Sequence, residues 1–307
     1  FVKQLSPLGK VRIQETTLHG KPQRKVHIQG VSQLDYLDLY KKFTFKQREN
    51  YKLDNICKIE LGVGKLEIEG DTFRETYTAD KQQRFIEYCT IDTERVRQLD
   101  ESLGLIRLCQ VLAYTARVNY DDVMSPVKTW DMIIFKYLFQ NGMVAPLKQV
   151  HEKDELEGAF VMDPEPGFHD WILSFDVASL YPSIIMGYNM SPETLIPYTP
   201  VEAKGVSYED IVKGNKTLEG KDFTMAANGA CFSTREEGIL PKLARQMFAT
   251  RNQEKKSMKE AKKHGDSEAT KYHDTTQMAF KVTLNALFGI CSNVHFRYYA
   301  HPIAAGI

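Results

Sequence analysis

Residues 176–185 read DVASLYPSII, and they follow the apolar stretch WILSF at residues 171–175. A mostly apolar run with one aspartate at its end is typical of a core strand that carries a carboxylate. Burying a carboxylate is costly unless it binds a cation or is well hydrogen-bonded. Asp176 is therefore either a metal ligand or a cap for the turn at residues 178–180.

The residues after Asp176 favour the metal ligand, because they bring hydroxyl groups and an aromatic ring beside the carboxylate. The string DVASLYPSII resembles motif A of B-family DNA polymerases. The resemblance implies that Asp176 holds two Mg²⁺ ions and that the backbone carbonyl of Val177 completes the shell of one of them. It also implies that backbone amides near Ser179 and Leu180 meet the phosphates of a dNTP. Tyr181 would lie under the deoxyribose and exclude ribonucleotides by steric clash.

Two long helices are predicted at residues 238–263 and 268–288, joined by the sequence HGDS. Glycine can end the first helix, and aspartate or serine can cap the second. One face of the first helix is apolar in its inner half and basic in its outer half: Leu240, Leu243, Ala244 and Met247, then Arg251, Lys255, Lys259 and Lys262. The basic half either attracts anions or is a solvated face.

The string AFKVTLNALFG in the second helix has only two strongly polar residues, Lys281 and Asn285, which lie on one side of the helix. A lysine that extends its charge to solvent is the alternative interpretation. The string resembles motif B of the same polymerase family. The resemblance implies that Arg251, Lys255 and Lys281 grip the triphosphate and that Asn285 orients the nucleotide. Phe288, where the family usually has tyrosine, would stack against the nascent base pair.

Helical spacing of apolar residues across 81–115 predicts long helical structure that contains Tyr88 and Asp92. The pattern Y-x-x-x-D resembles the third motif of the family's 3′-5′ exonuclease. The resemblance implies that Asp92 is a metal ligand and that Tyr88 holds the attacking water. The strings LDYLDLYKKFTF and YKLDNICKIELGVGKLEIEG also resemble the tailed-phage branch of the family. The other two exonuclease motifs are expected before Phe1.

The remaining elements are predicted from local patterns. The alternating runs KVRIQE and KVHIQG predict a β-hairpin within residues 10–30. The segment TWDMIIFKYLFQNG predicts a helix that ends at Gly142, and a polar loop from Pro146 to about Gly158 is a candidate domain boundary. Residues Gly62–Lys65 resemble a phosphate-binding loop only faintly and predict a turn. The eight histidines have no metal-ligand spacing.

The predicted fold is an α+β multidomain chain. By resemblance its parts are the end of an RNase H-like exonuclease domain, a connecting segment, the first part of a palm with an antiparallel sheet, a two-helix antiparallel fingers arm and a return into the palm. Their ranges are 1–105, 106–147, 148–236, 237–290 and 291–307. The start at Phe1 and the apolar end YYAHPIAAGI predict a piece of a longer protein.

Composition excludes several other classes of protein. Apolar residues make up 42% and charged residues 26%, which is typical of a packed globular protein. Forty basic and forty acidic residues cancel, so an anionic partner can be argued only from local clusters. The five cysteines have no C-x-x-C spacing, which argues against a disulfide framework and a zinc site. No run approaches the roughly 20 apolar residues of a membrane span, and we expect a cytoplasmic protein, in the host cell if a phage encodes it.

The function that the resemblance implies is a template-directed DNA polymerase with a proofreading 3′-5′ exonuclease. A primer 3′-hydroxyl would attack the α-phosphate of a dNTP, with primer-template DNA as the partner and a sliding clamp as a further candidate. A second catalytic carboxylate is expected from a later motif, and the sequence has no Asp or Glu after Asp274. The chain alone is therefore expected to be inactive. The rival hypotheses are a non-catalytic DNA-binding protein with a degenerate polymerase fold and a nuclease built around Asp92.

Overall fold

The computed structural model describes most of the chain, in two compact units. The described residues are 2–18, 21–44, 46–64, 82–149, 151–152, 156, 161–177, 179–218 and 221–307. The first unit comprises residues 1–111 and 119–124, and the second comprises residues 112–118 and 125–307. Among the residues that are described, no helix is long and apolar enough to cross a membrane.

A β-hairpin opens the first unit, after a short 3-10 helix at Val2–Leu5. Strands β1 (Val11–Leu18) and β2 (Lys21–Ile28) are antiparallel and pair along their whole length. The predicted hairpin is confirmed, and Pro22 lies within β2. Proline is tolerated there since both strands of a two-stranded sheet are edge strands.

The helices of the first unit are α1 (Tyr36–Phe43), α2 (Leu53–Leu61), α3 (Gln82–Leu103) and the start of α4 (Leu105–Ala116), with a 3-10 helix at Tyr120–Met124. Gly104 separates α3 from α4 with a left-handed backbone, φ 65°. The side chain of Asp100 accepts a hydrogen bond from the Ile106 amide at 3.0 Å, which caps α4. The long helical structure predicted for residues 81–115 is thus confirmed, with one break.

Gly62 ends α2 with a left-handed backbone, φ 73°, and donates its amide to the carbonyl of Lys58. This is the turn predicted at Gly62–Lys65, as far as Gly64. Lys65 lies outside the described residues.

The second unit contains six further helices and a small sheet in the described residues. The helices are α5 (Pro126–Gln140), α6 (Leu180–Gly187), α7 (Tyr208–Val212), α8 (Ile239–Lys263), α9 (Ser267–Cys291) and α10 (His301–Gly306), with a 3-10 helix at Val201–Ala203. Strands β3 (Phe223–Met225) and β4 (Cys231–Ser233) pair antiparallel. Helix α5 begins at the Ser125 cap and ends before Gly142, as predicted.

Helices α8 and α9 form the predicted antiparallel hairpin. Gly265 has φ 73° in the turn, and the Asp266 side chain accepts the Ala269 amide at 2.9 Å. Between the arms, His273 Nδ1 lies 2.7 Å from the Glu254 carboxylate. Helix α9 runs to Cys291, beyond the predicted end at Phe288, because Ile290 and Cys291 are buried.

One apolar core joins α5, α6, α8, α9 and the segment after α9. Its fully buried side chains include Trp130, Ile185, Met190, Phe232, Leu240, Leu284, Leu287 and Phe296. Trp130 donates its indole N–H to the carbonyl of Thr283 at 2.9 Å. Arg297 forms a two-pronged ion pair with Asp131, at 2.8 and 3.3 Å. These contacts fix α9 and the following segment against α5.

The core strand predicted at residues 171–177 is wrong for this structure. Residues 171–177 contain no helix or strand and are exposed; the exposed fraction is 98% for Trp171 and 88% for Phe175. A strand needs a neighbouring strand for its backbone hydrogen bonds. In the described part of the chain the only sheets are β1–β2 and β3–β4, and neither includes this segment.

The polar loop predicted from Pro146 to about Gly158 has no helix or strand at residues 146–149, 151–152 and 156. Its other residues lie outside the described ranges.

Candidate active site

Ser179 is the N-terminal cap residue of helix α6 and lies three residues after Asp176. Ser179 has a left-handed backbone, φ 56°, and its carbonyl accepts the Ser183 amide at 3.0 Å. Pro182 and Ile185 are buried, so one face of the helix is anchored in the core. The first-turn amides of Leu180 and Tyr181 have no acceptor within a helix by position, and a helix N-terminus favours negative charge. This end of α6 can therefore meet an anion.

The loop after α6 holds the start of α8 through three side chains that the sequence analysis did not identify. The Asn189 side chain accepts the Gly238 amide at 2.9 Å. Glu193 accepts the Ile239 amide at 2.5 Å, and Ser191 accepts the Leu240 amide at 3.3 Å. The available signal was a polar cluster, Asn-Met-Ser-Pro-Glu, directly after an apolar helix. These bonds fix the base of the helical hairpin relative to α6.

Arg251 of α8 contacts the start of α6. Its Nη1 atom lies 3.4 Å from the Ser179 hydroxyl oxygen, at the long end of the hydrogen-bond range. Its buried Nε atom has no acceptor among the described residues. Burial lowers the pKa of the Arg251 guanidinium below its ordinary value, but an arginine remains charged at neutral pH. Arg251 thus presents a positive charge with donors to spare beside the first predicted motif.

Tyr181 of α6 and Phe288 of α9 form a second contact between the two predicted motifs. Their ring centroids are 4.4 Å apart and their planes differ by 12°, which is a stacked arrangement. Both side chains are half-buried. The structure therefore brings together two residues that the sequence singled out separately.

The other two predicted cations, Lys255 and Lys281, lie near Arg251 and Phe288 in sequence. Lys255 lies one turn beyond Arg251 on α8 and is exposed, whereas Lys281 on α9 is half-buried. Neither lysine forms an ion pair with any described residue. Asn285, one turn after Lys281, is exposed. These polar groups are available to a ligand.

Asp176 is exposed, which differs from the buried position expected from the sequence. An exposed carboxylate has no cost of burial for a bound cation to offset. Carboxylate and carbonyl oxygens suit Mg²⁺, and Asp176 with the adjacent Val177 carbonyl offers both. No group of three or more His, Cys, Asp or Glu residues within the described ranges could hold a metal ion. The fit is therefore partial, because one carboxylate is present and two Mg²⁺ ions need further oxygen ligands.

Tyr88 and Asp92 lie four residues apart on α3, in the first unit, and both are half-buried. Residues at this spacing lie on the same side of a helix. The roles of Tyr88 and Asp92 stay predictions.

Two family models match the sequence. Residues 127–307 match the model described as DNA polymerase family B. Residues 23–96 match a model described as "Predicted 3'-5' exonuclease related to the exonuclease domain of PolB". The first match covers more than half of the chain.

Similar proteins include two phage enzymes. The DNA-directed DNA polymerase of Enterobacteria phage T4 is 32% identical over 348 residues, and that of Escherichia phage RB69 is 30% identical over 347 residues. Each alignment covers 97% of this chain but 38% of the phage protein. The DNA polymerase delta catalytic subunit of Candida albicans is 29% identical, over 86% of this chain and 25% of that protein. The chain thus spans less than half the length of these relatives.

A solved structure has a similar fold. It is the family B DNA polymerase from the hyperthermophilic archaeon Pyrobaculum calidifontis, which matches with a TM-score of 0.68 at 23% identity. The match covers 98% of this chain and 37% of that chain.

Proposed function

We propose, because this chain belongs to DNA polymerase family B, that residues 176–185 and 279–289 form the nucleotide-binding part of a template-directed DNA polymerase active site. The observation that carries the proposal is the pair of contacts between the motifs: Tyr181 stacks on Phe288, and Arg251 reaches Ser179. The reaction is attack of a primer 3′-hydroxyl on the α-phosphate of a dNTP. The proposed partners are dNTPs and primer-template DNA, and the proposed location is the cytoplasm of a host cell.

The triphosphate site is built from positive charge and helix amides. Arg251, Lys255 and Lys281 supply the cations, and the backbone amides near Ser179 and Leu180, at the start of α6, supply further donors. Fixed donors aimed at phosphate oxygens stabilise the charge that shifts during phosphoryl transfer, since the groups need no rearrangement when the bond breaks. Availability of both lysines in the described structure supports this assignment.

Tyr181, Asn285 and Phe288 are the residues proposed to select the nucleotide. Tyr181 lies under the deoxyribose, where its ring leaves no room for a 2′-hydroxyl. Asn285 orients the nucleotide, and Phe288 packs near the nascent base pair. The stack between Tyr181 and Phe288 supports a common location for the residues that meet the sugar and the base.

Asp176 and the Val177 carbonyl are the proposed Mg²⁺ ligands in this chain. When bound there, Mg²⁺ would stabilise the attacking and leaving oxygens. Since Asp176 is the one carboxylate proposed for the polymerase site and no acidic residue follows Asp274, the second carboxylate of that site would come from another part of a polymerase that contains this chain.

Proofreading is proposed for the first unit. Asp92 is the candidate metal ligand and Tyr88 the candidate that holds the attacking water, supported by their shared side of α3 and by the exonuclease model that matches residues 23–96. The proposed domains are the end of the exonuclease domain, a connecting segment, the first part of the palm, the fingers and the return into the palm. Their ranges are 1–105, 106–147, 148–236, 237–290 and 291–307. No described residue bears on a sliding clamp, which stays a prediction.

The triphosphate site is tested by replacing neighbouring lysines in a polymerase that contains this chain. Lys255→Ala should raise the KM for dNTP about tenfold or more, because a hydrogen bond between charged groups contributes about 1.5–3 kcal/mol. Lys256→Ala is the matched control, since Lys256 is exposed on the same helix but points about 100° away. Equal KM values for the two variants would contradict the site.

A further inference from the structure

The stacked rings of Tyr181 and Phe288 come from two helices that are both anchored in the shared apolar core. On α6, Pro182 and Ile185 are buried, and on α9, Leu284 and Leu287 are buried around the turn that carries Phe288. Neither helix can shift without disturbing the core. The Phe288 ring is therefore a fixed surface against which the Tyr181 ring rests.

The contact restricts the Tyr181 side chain on one face. A tyrosine ring turns about two side-chain torsions, and a parallel neighbour whose centroid is 4.4 Å away leaves no room for it to swing in that direction. Because Phe288 has no hydroxyl, the support comes from ring contact alone. Any aromatic residue of the same shape should provide it.

We propose that Phe288 is a positioning residue for sugar selection, which holds the Tyr181 ring where it excludes a 2′-hydroxyl. The inference rests on the proposed function. Exclusion by steric clash works only if the obstructing ring cannot move away, since a mobile ring would yield to the larger sugar. Loss of the ring at residue 288 would let the Tyr181 ring move. The selectivity for deoxyribose should then fall although Tyr181 itself is unchanged.

The test compares kcat/KM for a dNTP and for the matching ribonucleoside triphosphate, on one primer-template, in a polymerase that contains this chain. Phe288→Ala should raise the acceptance of the ribonucleotide relative to the dNTP by about tenfold, within the range for a small change in a pocket. Phe288→Tyr should keep the wild-type ratio, because it retains the ring. Phe280→Ala is the matched control, since Phe280 is half-buried on the same helix and stacks on no other described ring.

A second variant and a double variant keep the test decisive. Phe288→Leu preserves apolar volume without a flat face and should also raise the ratio, which matters if the alanine variant does not fold. Tyr181→Ala removes the ring that excludes the 2′-hydroxyl. In that background, adding Phe288→Ala should not change the ratio of the two kcat/KM values further, because the effects of residues that act through each other are not additive.

Two results would separate the failure of this inference from that of the proposed function. If Phe288→Ala and Phe288→Leu lower kcat/KM for both nucleotides by the same factor, Phe288 does not position the Tyr181 ring, although the polymerase assignment stands. If the unmutated polymerase that contains this chain and the second carboxylate extends no primer, the proposed function fails and the inference fails with it.

Discussion

Ser179 combines an unusual backbone conformation with a contact to α8. A left-handed φ in a residue other than glycine costs roughly 1–2 kcal/mol. The conformation persists because α6 is anchored by Pro182 and Ile185, and because the Ser179 hydroxyl lies beside Arg251. The turn thereby directs the first amides of α6 towards the same region as the arginine.

Cysteine reactivity provides a prediction at the residue scale. Cys89 is exposed, whereas Cys57, Cys109, Cys231 and Cys291 are buried. Burial raises the pKa of the Cys109 thiol to about 11 and that of Cys291 to about 12. Since the thiolate is the reactive form, one thiol of five should react rapidly with a disulfide reagent at pH 8 in the folded chain.

The control for this prediction is Cys89→Ser, in which the rapid phase should disappear. All five thiols should react once urea unfolds the chain. A rapid phase of two or more thiols before unfolding would contradict the burial of the other four.

Single residues also mark the limit of what sequence could predict. The location of Lys281 and Asn285 on one helix followed from local spacing. The exposure of Asp176 did not follow from local spacing, because an apolar run becomes a buried strand only when another strand pairs with it. The contacts of Asn189 and Glu193 were missed because their partners lie more than forty residues away in sequence.

At the scale of elements, the α8–α9 hairpin was predictable because its signals are local: a periodic apolar face, a glycine turn and an aspartate cap. The end of α9 was placed too early at Phe288. Its last turn is set by burial of Ile290 and Cys291 in the shared core, which no local signal encodes.

The two tryptophans test how α5 supports α9. Trp130 is fully buried and donates to the Thr283 carbonyl, whereas Trp171 is 98% exposed. Trp130→Phe removes a buried donor and should lower the free energy of unfolding by about 2 kcal/mol. Trp171→Phe should change it by less than about 0.5 kcal/mol. Urea unfolding followed by circular dichroism measures both.

Fluorescence quenching distinguishes the same residues without unfolding. Acrylamide should quench the Trp130→Phe variant, which retains Trp171, much more strongly than the Trp171→Phe variant. Equal unfolding energies and equal quenching would contradict the packing of α5 on α9.

At the scale of the whole molecule, the chain spans 38% of each phage polymerase that it resembles. The two-unit division and the two family matches agree with a multidomain protein. The exposed segment 171–177, which contains no helix or strand, carries the one proposed palm carboxylate of this chain. Under the proposed function, the 307 residues would supply a nucleotide site and one of the two carboxylates that the proposed chemistry needs.

The purified 307-residue chain should therefore incorporate no dNTP into a primer-template in the presence of Mg²⁺, because no acidic residue follows Asp274. A polymerase that contains this chain together with the second carboxylate is the positive control and should extend the primer. Measurable extension by the 307-residue chain alone would contradict the expectation.

Replacement of Asp176 bears most directly on the polymerase assignment. In a polymerase that contains this chain, Asp176→Ala should abolish primer extension, because it removes the proposed Mg²⁺ ligand, and should leave 3′-5′ exonuclease activity intact. Asp170→Ala is the matched control, since Asp170 is an exposed aspartate six residues upstream, and it should extend primers at the wild-type rate. Unchanged extension by Asp176→Ala would contradict the assignment and favour a DNA-binding protein that keeps a polymerase fold without its catalytic site.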